Sequence, residues 1–582
     1  MCEENSKSIY VFARGRLEQK ATLTKSNRRA FLGQVGTVAA AAAGGLAAPA
    51  LASAQQRSAA SPEAAALPAG VSNGRVVEAF EIRVKAAASD ALVPVAVNTP
   101  NGDQLRYADQ AGTYTKGLPH DSFGRVDLNA FQTFKTALKS GKFSDFEKIS
   151  MGGTRGFNGP QGGLAFSLEC ADAVQFGQPI VPSAPATASD QNATELLEHY
   201  WASLLRDAPF ADYGSNPVAA QAAAELGSQP TYLGPRDSQG RVSTALLFRG
   251  NFSGETLGPY VSQFLVIPTA MGAQPMSQQI KTYLQNIDYM TSFADWLTVQ
   301  NGNVTGLSNQ VDPQLRYARS GRDLAAYTHV DVLYQAYFTA YLVLSSIGAP
   351  FNPGNPYIGS RTENGFGTFG APDIAATLTE VATKALAAVW YQKWFAHLRP
   401  RPEATAGLVH LIKTGQGGET NARISNVLLN SQGLQESFNK YGTWLLSQAF
   451  PEGSPMHPSY PTGHGTVAGA CITVLKFFFD GTFVIPNPVT PTADGLSLEP
   501  YTGADAGQLT VNGELNKLGH NVSFGHGIHA GIHWRSDTDT SLLLGEAVAL
   551  SMLKDRGATY NEPFTVALTK FNGTTATISN QK

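Results

Sequence analysis

The sequence predicts an all-α fold, a large helical-bundle domain with long loops and a few short strands. Three observations predict it. Apolar residues recur at helical spacing over long stretches, alternating strand patterns are few, and Gly-, Pro- and Asn-rich segments separate the helical runs. No repeat occurs at solenoid periods, and no domain boundary stands out beyond the N-terminal segment.

In chain order, residues 1–54 read as an export leader. Arg28-Arg29 precede an Ala- and Gly-rich apolar run from Gly33 to Leu51, and Ala52-Ser53-Ala54 offers a small-x-small cleavage site. Paired arginines point to the twin-arginine route and a periplasmic or secreted product. Residues 55–75 are rich in Ala, Ser and Pro and read as a flexible lead-in, with order beginning near Glu78. Residues 76–370 form an N-terminal helical half and residues 371–570 a C-terminal half. Helical spacing appears over Thr194–Arg206, Met276–Asn301, Leu324–Ser346, Ile374–His397 and Asp537–Leu553. Val242–Arg249 and Phe483–Ile485 are the best strand patterns.

Composition excludes some function classes. Charged residues are 15% of the 582-residue chain, whose net charge is −3. The first 54 residues hold seven Lys/Arg and three Asp/Glu, so the remainder carries 35 basic and 42 acidic residues, a net of −7. No basic stripe invites nucleic acid. Past the leader no apolar run can span a bilayer, so no stable membrane anchor is expected. Beyond the leader only Cys170 and Cys471 remain. Cys471 lies in an apolar helical run and reads as a buried thiol, although a disulfide between the two is open in an oxidising compartment.

Three segments carry chemistry. The first runs from Lys393 to Glu403 and leaves a helix for a loop braced by Pro400 and Pro402. Proline holds its predecessor extended, so Arg399 and Arg401 project from stiff backbone. A lysine point charge and an arginine fork suit a tetrahedral oxyanion, although a helix dipole alone can attract basic residues to its C-terminus. The second segment is His457-Pro458-Ser459-Tyr460-Pro461-Thr462-Gly463-His464. Thr462 stands at the N-cap of an apolar helix whose free N–H groups form an anion site, and Gly463 allows close approach of the anion. The third segment holds His526, His529 and His533 at i, i+3 and i+7, one face of a helix, with Asp537 placed to orient His533. Four of the 11 histidines lie between His520 and His533. A divalent-metal site is the competitor, but neither HExxH nor a cysteine ligand accompanies them.

These segments resemble the signature of the vanadium-dependent haloperoxidases and the related type 2 phosphatidic-acid and acid phosphatases. The matching blocks are Lys393 with Arg401-Pro402, then Pro461-Thr462-Gly463-His464, then His533 with Asp537. The spacing of the first block, together with Thr115–Asp121, Pro160–Phe166, Gly272–Pro275 and Arg322–Asp331, is similar to the marine algal bromoperoxidases over most of residues 75–560. The resemblance implies a haloperoxidase-type helical bundle whose C-terminal half holds the vanadate or phosphate pocket. It implies that His533 binds vanadium, and that Lys393, Arg401, Thr462 and Gly463 hold the oxygens. His464 would deprotonate hydrogen peroxide and His457 would tune the pocket for bromide. Hydrogen peroxide, a halide and a small organic acceptor would be the partners, with homo-oligomers as in the algal relatives. Two positions depart from the family pattern. Thr462 stands where serine is usual. Gly527, not arginine, lies six residues before His533, leaving His526, His529 or Arg399 to supply that donor. An acid phosphatase with His533 as nucleophile is the alternative. A non-catalytic oxyanion- or metal-binding member is a third reading.

Overall fold

A computed structural model describes residues 73–580. The expected leader at 1–54, and the lead-in up to residue 72, lie outside the described residues. The chain divides into two units, Met1–Glu81 and Ile82–Lys582. Of the first unit, residues 73–81 are described, and they are helical.

Helices dominate. Those of eight residues or more are α1 (Asn73–Ala91), α2 (Leu128–Ser140), α3 (Asp190–Leu205), α4 (Pro217–Ser228), α5 (Phe293–Gln300), α6 (Gly321–His329), α7 (Gln335–Ser346), α8 (Ala371–Tyr391), α9 (Pro402–Lys413), α10 (Gln432–Tyr441), α11 (Gly463–Phe478), α12 (Val511–Phe524) and α13 (Arg535–Thr559). The described strands form four two-stranded antiparallel ladders. They are β1 (Thr269–Met271) with β2 (Gln274–Met276), β3 (Ile280–Tyr283) with β4 (Val311–Arg316), β5 (Val489–Pro491) with β6 (Leu498–Pro500), and β7 (Thr565–Thr569) with β8 (Thr575–Ser579). The all-helical expectation therefore holds.

The core forms around α11, which is apolar on all sides and buried along nearly its whole length. It packs on α8 and, most closely, on α13. Glycine makes that contact: a β-carbon on Gly469 would stand 2.1 Å from the Leu542 carbonyl oxygen, and one on Gly545 2.0 Å from that of Thr466. Both distances are far below van der Waals contact, so the two backbones touch. The helices run side by side with N-terminal ends together, and the Thr462 N–H donates to the Asp537 carbonyl at 3.1 Å. Two helix dipoles thus aim positive ends at one place.

Two π-helical turns flank that place, Gln392–His397 after α8 and Gly525–His529 after α12. Such turns shift the side-chain register that regular helices keep. After the first, Leu398 adopts φ 49° and turns the chain toward Arg399 and Arg401.

Several expected elements differ. The helix expected over Met276–Asn301 is one end of β2, then β3, then only α5. Asn286 and Met290 take positive φ, and Ser292 caps α5 by accepting the Asp295 N–H. The helix expected over Leu324–Ser346 is broken into α6 and α7 at Val330, where the backbone turns extended. Val242–Arg249 holds a single 3-10 turn, and Phe483–Ile485 makes one isolated bridge, Val484 to Thr510. Cys170 and Cys471 are free and buried. Among the described residues, no helix is long and apolar enough to cross a membrane.

Candidate active site

Lys393 enters from the first π turn, where its side chain is fully buried. Its Nζ donates to the carbonyl oxygens of Pro458 at 2.9 Å and Ser459 at 2.7 Å. Arg401, at the start of α9, is equally enclosed. Its Nε donates to the His457 carbonyl at 2.9 Å, and one terminal nitrogen donates to the Ile532 carbonyl and to His533 Nε2, both at 2.8 Å. The other donates to His457 Nδ1 at 3.0 Å. Among the described residues, neither cation has a carboxylate within hydrogen-bonding distance. Burial, reinforced by the charge of Arg401, holds the Lys393 ammonium well below the usual lysine range. Burial lowers Arg401 to about 10. Two buried cations without a counter-charge are costly alone and suited to an anion.

His533 sits between them. It follows Gly531, whose φ of 88° ends the helical path, and precedes Trp534 at the N-cap of α13. Arg401 can only donate, so Nε2 accepts from it and carries a lone pair. The proton then sits on Nδ1, which donates to Asp537 Oδ2 at 3.1 Å. This is the arrangement that readies an imidazole nitrogen as a ligand. Burial, followed by the charges of Arg401 and Lys393, keeps His533 well below the usual histidine range and so neutral. Asp537 is fixed in turn by Arg399 at 2.7 Å and by the Ser459 hydroxyl. Arg399 also bonds Ser536 and Asn192, and lies 4.6 Å from the Trp534 ring.

α11 begins at the same place. Thr462 occupies the N-cap, but its hydroxyl makes no cap bond and lies 3.4 Å from that of Thr538. The first N–H groups of α11, from Gly463 onward, have no partner within the helix. A β-carbon on Gly463 would come within 3.1 Å of the Trp390 ring. His464 Nε2 pairs with Asp331 Oδ1 at 3.0 Å, and its ring stacks on His526 with centroids 4.0 Å apart. His526 lies 5.8 Å from the His533 ring, and its buried Nδ1 has no partner. Burial, then the charge of His464, holds His526 well below the usual range. His457 packs against Trp390 at 4.8 Å and stands 6.3 Å from the His533 ring.

The structure thus gathers Lys393, Arg401, His457, Thr462, Gly463, His464, His526, His533 and Asp537. It does not keep the expected single histidine face. The π turn and Gly531 turn His529 away, to bond Tyr260 at 2.9 Å among Phe210 and Phe248. His529 and Arg399 therefore do not supply the missing donor, since Arg399 is committed to Asp537. Sequence reasoning did not single out Asp331 or Ser459. Asp331 lay within a run quoted only for its resemblance, and nothing local marked it as the partner of His464. The competing divalent site is not formed: among the described residues no three His, Cys, Asp or Glu gather closely enough to hold a metal ion.

A tetrahedral oxyanion fits this donor set: two uncompensated cations, two helix N-termini and an orphaned ring nitrogen surround one histidine lone pair. Fold and site together define an all-helical oxyanion-binding protein with a histidine ready to ligate. The chain matches no protein-family model. It is 32% identical to a vanadium-dependent bromoperoxidase of Corallina pilulifera over 609 aligned positions, 88% of this chain and 100% of the relative. It is 35% identical to one of Ascophyllum nodosum over 526 positions, 86% of this chain and 92% of the relative. Its fold matches the solved homohexameric second vanadate-dependent bromoperoxidase of A. nodosum with a TM-score of 0.82 at 28% identity, covering 87% of this chain and 90% of that one. The chain belongs to the vanadium-dependent bromoperoxidase family.

Proposed function

We propose that this protein binds vanadate and oxidises halide with hydrogen peroxide to a hypohalous acid equivalent, with bromide the preferred halide and small organic molecules the acceptors. The observation that carries the reading is the pair of buried cations without a carboxylate, Lys393 and Arg401, set around the His533 lone pair. Bound vanadate supplies a Lewis-acid centre that polarises peroxide toward attack by halide. The chain supplies the rest. His533 offers Nε2, and Asp537 keeps the proton on Nδ1. Lys393, Arg401, the Thr462 hydroxyl, the Gly463 N–H and His526 surround the oxygens. Asp331 holds His464 through Nε2, leaving Nδ1 to accept a proton from incoming peroxide. His457, against the Trp390 indole, borders the same pocket and is the residue through which bromide preference is tuned.

The test is bromination of a phenolic dye by protein loaded with one equivalent of orthovanadate, run in parallel with chloride, bromide and iodide. Turnover should exceed that of unloaded protein and be greater with bromide than with chloride. Folded, vanadate-loaded protein inactive with every halide would end the reading.

Export through the twin-arginine route is part of this proposal, supported by Arg28-Arg29 and Ala52-Ser53-Ala54. A Lys-Lys replacement of the pair should retain the protein in the cytoplasm. Self-association is also proposed, since a relative of the same fold is a homohexamer. Light scattering of the purified protein measures it.

A further inference from the structure

Resting on that reading, the reaction needs a proton source. Oxidation of halide to hypohalous acid breaks the peroxide O–O bond, forms an oxygen–halogen bond and moves two electrons from halide to peroxide. One proton is taken up for each water released. The groups that hold the oxyanion are sealed, so protons must arrive elsewhere.

Side-chain exposure rises in one direction from the site, from 1% at His533 through 12% at His464 to 14% at His329 and 28% at Glu452. His329 ends α6, two residues before Asp331, which holds His464. Its Nε2 pairs with Glu452 Oε1 at 2.6 Å, and Tyr283 of β3 meets its Nδ1 at 2.6 Å. The ring is clamped flat on Phe450, 3.8 Å away. Toward the pocket its charge acts on His526, which stacks on His464. Toward solvent, Glu452 also feels the charge of Arg155. Burial raises the Glu452 carboxyl, but the hydrogen bond and charge of His329 outweigh it and hold the group below its ordinary value. A carboxylate half open to water, bonded to an imidazole held rigidly beside the pocket, is the arrangement of a proton relay.

We propose that Glu452 and His329 form the entry port through which solvent protons reach the His464 side of the pocket. Glu452 collects a proton, His329 accepts it at Nε2, and the imidazole releases one toward the pocket, each step leaving the pair ready for the next.

The test compares His329→Ala and Glu452→Gln with wild type, after wild-type halide turnover has been established. In His329→Ala, kcat should fall at least tenfold above neutral pH, with the KM for bromide within twofold of wild type. Added imidazole should restore turnover saturably. In Glu452→Gln, the decline of kcat with rising pH should begin at lower pH. Vanadate affinity, read by 51V NMR, should stay within twofold of wild type in both variants. A second readout needs no turnover: in apoprotein, 15N NMR should show proton exchange at the His464 ring slowed at least threefold by Glu452→Gln. Unchanged kcat and exchange would overturn the port. So would a loss that no buffer restores accompanied by weakened vanadate binding, the signature of a purely structural pair. Inactive wild type would instead strike the haloperoxidase reading, with the exchange measurement still deciding the port.

Discussion

Two buried arginine clusters lie in this protein, and they are built on opposite principles. In one, Arg206 and Arg322 share Asp288. Arg322 also forks onto Asp207 at 2.8 Å, and Tyr441 donates to Asp288 at 2.7 Å. Every positive charge there faces a carboxylate. In the other, Lys393 and Arg401 face backbone carbonyls and histidine nitrogens. The first cluster is complete in the polypeptide; the second lacks an anion. Burial alone therefore does not mark a binding site. Burial without charge balance does, because the missing counter-charge must come from a ligand.

The largest effects should separate the two clusters by stability. Arg322→Ala leaves Asp207 and Asp288 short of a partner in the interior, and should cost about 3–5 kcal/mol in urea unfolding. Arg401→Ala removes an uncompensated charge, so the apoprotein should lose less than half as much. Equal losses in the two apoproteins would break the contrast. Next in size is ligand stabilisation. Orthovanadate or phosphate at a hundred times its dissociation constant should raise the unfolding free energy of wild type by about 2.7 kcal/mol. Arg401→Ala should lose that gain. Tyr441→Phe, which touches only the paired cluster, should keep it. Calorimetry with and without the oxyanion checks all three proteins.

How legible these clusters were depends on how local they are in sequence. Lys393 and Arg401 share one segment, Thr462, Gly463 and His464 a second, and His533 and Asp537 a third, so spacing alone exposed the cradle. Asp331 lies 133 residues from His464 and comes from the turn between α6 and α7. Only folding brings the two together. The compensated cluster joins α3, the loop after β3, α6 and α10, and no segment announced it. The 3.6-residue period also fails where the backbone leaves it. It put His526, His529 and His533 on one face, whereas the π turn and Gly531 split them. It read Met276–Asn301 as one helix because Tyr289 and Met290 are buried from a loop as fully as from a helix.

The smallest effect is a dependence on acid that belongs to the compensated cluster. Burial raises the Asp288 carboxyl, but Arg206 and Arg322 outweigh it and bring it from 3.8 down to about 2. The folded protein thus binds this proton less readily than the unfolded chain. The resulting stability is fully present above the unfolded value and is lost as pH falls through the folded one, between about pH 4 and 2. A shift of this size corresponds to about 2 kcal/mol. Urea unfolding at pH 5 and pH 2.5 should show wild type losing about that much more than Asp288→Asn, which has no carboxylate to titrate. Equal losses in the two proteins over that interval would mean that the arginines do not draw their stabilisation from the ionised Asp288. The compensated cluster would then differ from the cradle in composition but not in energetics.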